Sequence, residues 1–208
     1  MGDLSTTTQI IIWIAMIAVA YALGTFPSAV LVARANGVDI TTEGSGNPGA
    51  SNVARVLGWR RGIWVFVLDA AKGAIPAALG VLLGAGDTAS IDGRALAYAA
   101  AAAAVVGHVF PITRGFHGGK GVATGGGAFA VLSPVVFVVL IIVWVVVSRL
   151  TRTAAVASLI VVVALPVGVW VMGRELWEVP ATVGICALVL VRHMGNITRL
   201  VAGAEARL

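Results

Sequence analysis

Val135-Val136-Phe137-Val138-Val139-Leu140-Ile141-Ile142-Val143-Trp144-Val145-Val146-Val147 is an unbroken apolar run, closed by Ser148-Arg149. It does not alternate, so it is not a half-buried strand. Runs of this kind recur along the chain. In lipid the backbone must satisfy its own hydrogen bonds, and a helix does so within itself. The composition agrees: 59% of the 208 residues are hydrophobic and only 11% are charged, whereas a soluble domain carries roughly a quarter charged residues. The mean hydropathy is +1.00. The expectation is an all-α, polytopic membrane protein with a single integral membrane domain over residues 1–208.

Working outward from that run, the sequence predicts helices over Ile10 to Arg34, Ile63 to Leu83, Leu96 to Phe110, Val135 to Val147, Ala154 to Met172 and Thr182 to Val191. Gly24 and Pro27 predict a kink in the first. Val122 to Leu132 is too short to span in the usual way and reads as a short or half-buried helix that returns the chain to the other side. That makes seven transmembrane segments. Eleven cations (Arg34, Arg55, Arg60, Arg61, Arg114, Lys120, Arg149, Arg152, Arg192, Arg199 and Arg207) then fall at one set of ends, and only Arg94 and Arg174 at the other. The positive-inside rule puts the N-terminus outside and the C-terminus in the cytoplasm. The acidic start Met1-Gly2-Asp3 disfavours a cleaved signal peptide. The formal charge of +5 is not a nucleic-acid signal, because the cations sit at helix ends facing anionic lipid.

Three polar, glycine-bearing stretches share the cytoplasmic side in this reading. The first is Glu43-Gly44-Ser45-Gly46-Asn47-Pro48-Gly49-Ala50-Ser51-Asn52-Val53-Ala54-Arg55. Glycines let N–H groups approach a ligand. Ser45, Asn47, Ser51 and Asn52 add donors, and Arg55 adds a fork of positive charge suited to phosphate. The second runs from Pro111 to Gly121, ending Gly118-Gly119-Lys120-Gly121, where a lysine and a following helix end can meet an anion. The third is His193-Met194-Gly195-Asn196, with His193 and Asn196 on one helical face.

Generic motifs fail on inspection. Gly44 to Gly49 matches G-x-G-x-x-G, but a membrane helix precedes it rather than a strand. Gly118 to Gly121 lacks the first glycine and the Ser/Thr of a Walker A loop. His108, His117 and His193 are scattered without a carboxylate or cysteine cluster, so neither metal nor cofactor is expected. No Gly-x-Ser-x-Gly elbow appears. Cys186 reads as a packed thiol. Asp69 and Lys72, three apart in the second helix, read as a buried pair that locks packing; the alternative is a ligand-orienting Lys72.

Taken together, Gly44 to Asn52 through Arg55 and Leu57-Gly58, His108-Val109-Phe110-Pro111 through Gly118-Gly119-Lys120-Gly121-Val122-Ala123-Thr124, Leu68-Asp69 with Lys72-Gly73, and His193 through Asn196-Ile197, Arg199-Leu200, Gly203 and Glu205 resemble the bacterial acyl-phosphate-dependent glycerol-3-phosphate acyltransferases. The resemblance spans nearly the whole chain. It implies a bacterial inner-membrane enzyme with a cytoplasmic active site. Such an enzyme transfers a fatty acyl group from acyl phosphate to the first hydroxyl of glycerol 3-phosphate, giving lysophosphatidic acid and inorganic phosphate. By motif position it implies Ser45, Ser158, His193 and Asn196 as catalytic residues. It implies Arg55, Lys120 and Ser45 as phosphate-binding residues, and the donor chemistry of the loops adds Gly118, Gly119, Gly121, Asn47 and Asn52 to them. Partners would be the two substrates, membrane lipids and the enzyme that forms the acyl phosphate. Ser51 replaces a frequent threonine and keeps the hydroxyl. Met194 replaces the arginine that commonly follows the histidine and removes one cation.

The chemistry fits these residue types. Both substrates carry phosphate, and phosphate is already a good leaving group, so direct attack by the glycerol hydroxyl is expected without an acyl-enzyme. His193 can serve as base or as hydrogen-bond donor, with the donor role expected; a donor phosphate oxygen can accept the proton instead. The rival reading, a small membrane anion transporter, predicts polar loops on both faces and an internal repeat. Neither is found.

Overall fold

Every regular element among the described residues is helical. The computed structural model describes residues 5–84 and 92–208. The reading made on Met1-Gly2-Asp3 lies outside them, as does most of the short acidic loop, Gly86-Asp87 to Asp92-Gly93, that the sequence places between its second and third helices. The elements are α1 (Thr6–Gly24), α2 (Ser28–Arg34), α3 (Ala50–Leu57), α4 (Trp59–Gly84), α5 (Gly93–Val109), a 3-10 turn (Ile112–Arg114), α6 (Val122–Leu132), α7 (Pro134–Thr151), α8 (Ala154–Val171), α9 (Glu178–Val191) and α10 (Met194–Val201).

Among the described residues, five stretches are long and apolar enough to cross a membrane: Thr6–Arg34, Trp59–Gly84, Gly93–Arg114, Pro134–Thr151 and Ala154–Val171. A sixth is formed if α9 and α10, bent by 56° between them, count as one span. The 11-residue α6 is shorter than a span needs. Val135, Val138, Val139 and Ile142 on α7 are more than half exposed. A face that apolar is suited to lipid rather than water. The chain is a multi-pass membrane protein.

Several boundaries differ from the sequence reading for a common reason. The first helix does not merely kink; it stops at Gly24 and restarts at Ser28. Pro27 has no N–H to continue the ladder, and the Thr25 hydroxyl closes the first piece by donating to the Ala22 carbonyl at 2.7 Å. α4 begins at Trp59, α7 runs on to Thr151 and α9 begins at Glu178. Apolarity marks only the middle of such a helix, whereas these helices continue through polar and charged residues at their ends. There Arg60 stacks 5.6 Å from the Trp59 ring.

The chain divides into two compact units, one containing the residues up to Phe26 and Val67–Leu132, the other Pro27–Phe66 and Ser133–Leu208. In the first, helices meet through small residues. A Cβ on Gly24 would collide with the Ala104 carbonyl, and one on Gly107 with the Tyr21 carbonyl, so α1 and α5 touch backbone to backbone. The Tyr21 hydroxyl secures this pair by donating to the Phe110 carbonyl at 2.9 Å and accepting from the Ile112 N–H at 3.2 Å. Tyr98 and Phe129 meet edge to face between α5 and α6, 5.9 Å apart.

The second unit holds the glycine-rich stretch. Ala29, Val30 and Ala33 of α2, Ile40 of the connection, Val53 of α3 and Val65 of α4 form a small buried core. This core fixes both ends of the loop. The same unit contains α7, α8 and α9, with Gly168 of α8 packed closely on Val136 of α7.

Candidate functional site

The loop of residues 43–49 is shaped by one amide. Asn52, 2% exposed on the first turn of α3, donates through Nδ2 to the carbonyls of Glu43 at 2.9 Å and Ile40 at 3.3 Å. Its Oδ1 accepts from the Ser45 N–H at 2.9 Å and from Nη1 of Arg55 at 3.1 Å. An asparagine amide offers two donors and an acceptor with two lone pairs. All four are engaged here. The sequence places Asn52 among the phosphate ligands; in the structure its amide folds the loop. Gly44 and Gly46, at φ +60 and +68, supply the left-handed turns that the fold of the loop requires. A Cβ on Gly44 would also collide with the Asn52 oxygen. Ser45 remains exposed and Asn47 half-buried at the rim.

α3 itself is absent from the sequence reading, which takes residues 35–61 as loop. It is eight residues long and follows Pro48-Gly49. Ala50, Val53, Ala54 and Leu57 supply one apolar face, with Val53 fully buried and Ala50 and Leu57 packed on the same core. The helix turns Asn52 and Arg55 toward the loop.

The tail meets the same loop, although about 150 residues separate them. Arg55 donates through Nε to the Arg207 carbonyl at 2.8 Å and through Nη2 to the Ala206 carbonyl at 3.4 Å. Leu208 donates its N–H to the Arg152 carbonyl at 2.8 Å. The tail can double back because Gly203 turns at φ +68 after α10. That reversal also carries Glu205 to Asn196, which donates to Oε1 at 2.6 Å, and to Arg199, whose Nε lies 2.9 Å from Oε2. Burial lowers the Arg55 pKa, the nearby Glu205 carboxylate raises it, and Arg199 lowers it again. A guanidinium stays charged through such shifts, so Arg55 is a partly desolvated fixed cation.

His193 caps α10 and is 2% exposed. Its Nδ1 lies 2.8 Å from the Val189 carbonyl. A carbonyl only accepts, so Nδ1 carries the proton and Nε2 carries the lone pair of the neutral ring. Held this way, the neutral ring offers an acceptor at Nε2 and the protonated ring a donor, the two roles read from the sequence. Asn196 follows on the first turn of α10, its N–H bonded to the His193 carbonyl at 2.8 Å. Ser158 is buried on α8, where its hydroxyl accepts from the Trp144 indole N–H of α7 at 3.1 Å.

In the first unit, Gly118 and Gly119 fold back on the end of α5. Their N–H groups donate to the carbonyls of Val109 and His108, each at 3.1 Å. These two donors are engaged within the turn. Lys120 follows, half-buried, and Gly121 at φ +88 leads into α6. Asp69 and Lys72 form the expected buried pair, with Nζ 2.7 Å from Oδ1. Among the described residues no group of three or more His, Cys, Asp or Glu side chains is placed to hold a metal ion.

The family model for glycerol-3-phosphate acyltransferase matches residues 14–203. The chain belongs to the glycerol-3-phosphate acyltransferase family. It is an acyltransferase. Named relatives include a glycerol-3-phosphate acyltransferase of Anaeromyxobacter dehalogenans, 42% identical over 194 residues, covering 92% of this chain and 95% of the relative. One from Shewanella sp. strain W3-18-1 is 38% identical over 201 residues, covering 96% and 95%. Among solved structures, the crystal structure of PlsY (YgiH), an integral membrane glycerol 3-phosphate acyltransferase, in its glycerol 3-phosphate form superposes with a TM-score of 0.85 at 34% identity. That match covers 94% of this chain and 95% of the other. The lysophosphatidic acid form of the same protein gives 0.83.

For a glycerol-3-phosphate acyltransferase, two supporting side chains here escape sequence reasoning. Glu205 appears in the sequence only as a motif member, and its bonds to Asn196 and Arg199 depend on the reversal at Gly203. Trp144 sits inside the apolar run that marks α7, where an indole reads as lipid-facing. The available signal was Ser158, a hydroxyl within an apolar helix, which needs a partner.

Proposed function

We propose that the chain transfers a fatty acyl group from acyl phosphate to the first hydroxyl of glycerol 3-phosphate, releasing lysophosphatidic acid and inorganic phosphate. The observation that carries this reading is the convergence of Ser45, Asn52 and Arg55 with the tail that bears Asn196 and Glu205. A partly desolvated guanidinium beside an exposed serine suits a phosphate monoester. Arg55, Lys120, Ser45 and Asn47 take the phosphate groups. A phosphate oxygen displaces the neutral carbonyls of residues 206 and 207 from Arg55, because a charged acceptor makes the stronger bond. His193 accepts the glycerol hydroxyl proton through Nε2, Asn196 orients the substrate beside it, and Ser158 adds a hydroxyl. No acyl-enzyme is needed, because phosphate already leaves readily.

Purified protein given glycerol 3-phosphate with acyl phosphate, acyl-CoA or acyl carrier protein as separate donors tests the reaction. Lysophosphatidic acid and inorganic phosphate are expected from acyl phosphate alone. Comparable turnover with either thioester would reject the donor assignment.

We also propose seven crossings within one domain, α6 included, with the N-terminus outside and the site facing the cytoplasm across a bacterial inner membrane. The charge bias supports this. Cys186 is buried, so introduced thiols can be read against a low background. Leu176→Cys, at an exposed position, is expected to label from outside intact cells, and Arg114→Cys only after permeabilisation. Labelling of both from one side would overturn the orientation.

A further inference from the structure

Asp69, Lys72 and His108 are buried together at 2%, 7% and 8% exposure. Lys72 Nζ lies 2.7 Å from Asp69 Oδ1, donates to the Phe26 carbonyl at 2.7 Å, and is 3.4 Å from His108 Nδ1. An ammonium has three donors, and these three partners account for them. Lys72 therefore has no donor to offer a ligand. His108 Nδ1 is also 3.8 Å from Asp69 Oδ1. A buried ion pair is seldom worth more than apolar packing of the same volume. What it adds is direction: three fixed bonds from one nitrogen.

The other edge of the same imidazole supports the glycine turn. A Cβ on Gly119 would collide with His108 Nε2, so the turn lies flush on the ring. The His108 carbonyl holds the same residue through its N–H at 3.1 Å. On the far side of Lys120, α6 packs on the α4 stretch that bears the pair. A Cβ on Gly73, next to Lys72, would collide with the Thr124 carbonyl, and one on Gly127 with the Ala70 carbonyl. Both approaches to Lys120 thus rest on residues 69–73 of α4, one through His108 and one through α6.

We infer that Asp69, Lys72 and His108 are positioning residues that set where Lys120 stands, and that they act on catalysis only through it. The inference rests on the reading of Lys120 as a phosphate ligand. Substrate truncated of its lysine contact loses a charge-assisted bond, about ten- to a hundredfold in kcat/KM. A mispositioned lysine loses much of the same.

A double-mutant cycle between His108→Asn and Lys120→Ala tests this. Asparagine keeps an acceptor near Lys72 but withdraws the ring from Gly119. Each single variant is expected to lower kcat/KM by about tenfold or more, with the melting temperature followed in parallel. The double variant is expected to fall no further than Lys120→Ala alone. If His108→Asn does not fold, Gly119→Ala enters the same cycle, because its methyl drives the turn and the His108 ring apart while all three cluster side chains are kept. Losses that multiply in the double variant would overturn the inference while leaving Lys120 as a ligand. Full activity of Lys120→Ala would instead reject the ligand reading, and the positioning role with it.

Discussion

Arg55→Lys is expected to lower kcat/KM by about tenfold to a hundredfold, with normal membrane insertion and yield. The charge survives the substitution, so a residue that merely obeys the positive-inside rule would tolerate it. What is lost is the fork. Arg55 spreads its donors over Asn52 Oδ1 and the carbonyls of residues 206 and 207, and a lysine ammonium cannot span those directions. Each charge-assisted bond is worth about 1.5–3 kcal/mol, which sets the tenfold-to-hundredfold scale. The tail contact raises a competing account, in which Arg55 only staples the C-terminal segment. Thermal stabilisation by glycerol 3-phosphate separates the two, since a ligand that binds the native state raises its melting temperature with concentration. A substrate-binding arginine predicts that this stabilisation weakens in Arg55→Lys. A lower melting temperature with undiminished stabilisation by substrate, and near-normal KM, would assign Arg55 to the staple instead.

The contrast between what the sequence yields and what it hides follows from range. A membrane helix is written locally: thirteen apolar residues from Val135 to Val147 cannot be anything else in lipid. The Asp69–Lys72 pair is equally local, three residues apart on one helix. α3 escapes because eight residues carry barely two turns of pattern, and Asn52 and Arg55 within it read as loop polarity. His108 escapes because its partner Lys72 lies 36 residues away, on another helix. The part that Asn52 plays in folding the loop is hidden for a related reason. An asparagine in a glycine loop offers the same donors to a ligand as to backbone carbonyls, and only the closed loop shows that Ile40 and Glu43 take them. Composition therefore finds the stretches that matter, while the division between residues that touch phosphate and residues that hold them is a property of the fold.

His193→Asn is expected to cost more than Arg55→Lys, about a hundredfold to ten-thousandfold in turnover. The Nδ1 bond to Val189 at 2.8 Å decides the direction of this prediction. It leaves the lone pair of the neutral imidazole on Nε2, so the ring is set to take a proton rather than give one. An asparagine amide can reproduce a hydrogen-bond donor, and if donation were the role the loss would stay near tenfold, the worth of about 1 kcal/mol. It cannot reproduce a base. The pH profile supplies the second readout. Wild-type kcat/KM is expected to fall toward acid as the imidazole becomes charged, and what activity remains in His193→Asn should lose that limb. Glycerol 3-phosphate binding should change little, which places the loss in the transition state rather than in the ground state. A residual activity within tenfold of wild type, with the acid limb intact, would show that another group takes the proton. The phosphate oxygen of the acyl donor is then the acceptor nearest to hand, and its titration would replace that of His193 in the profile.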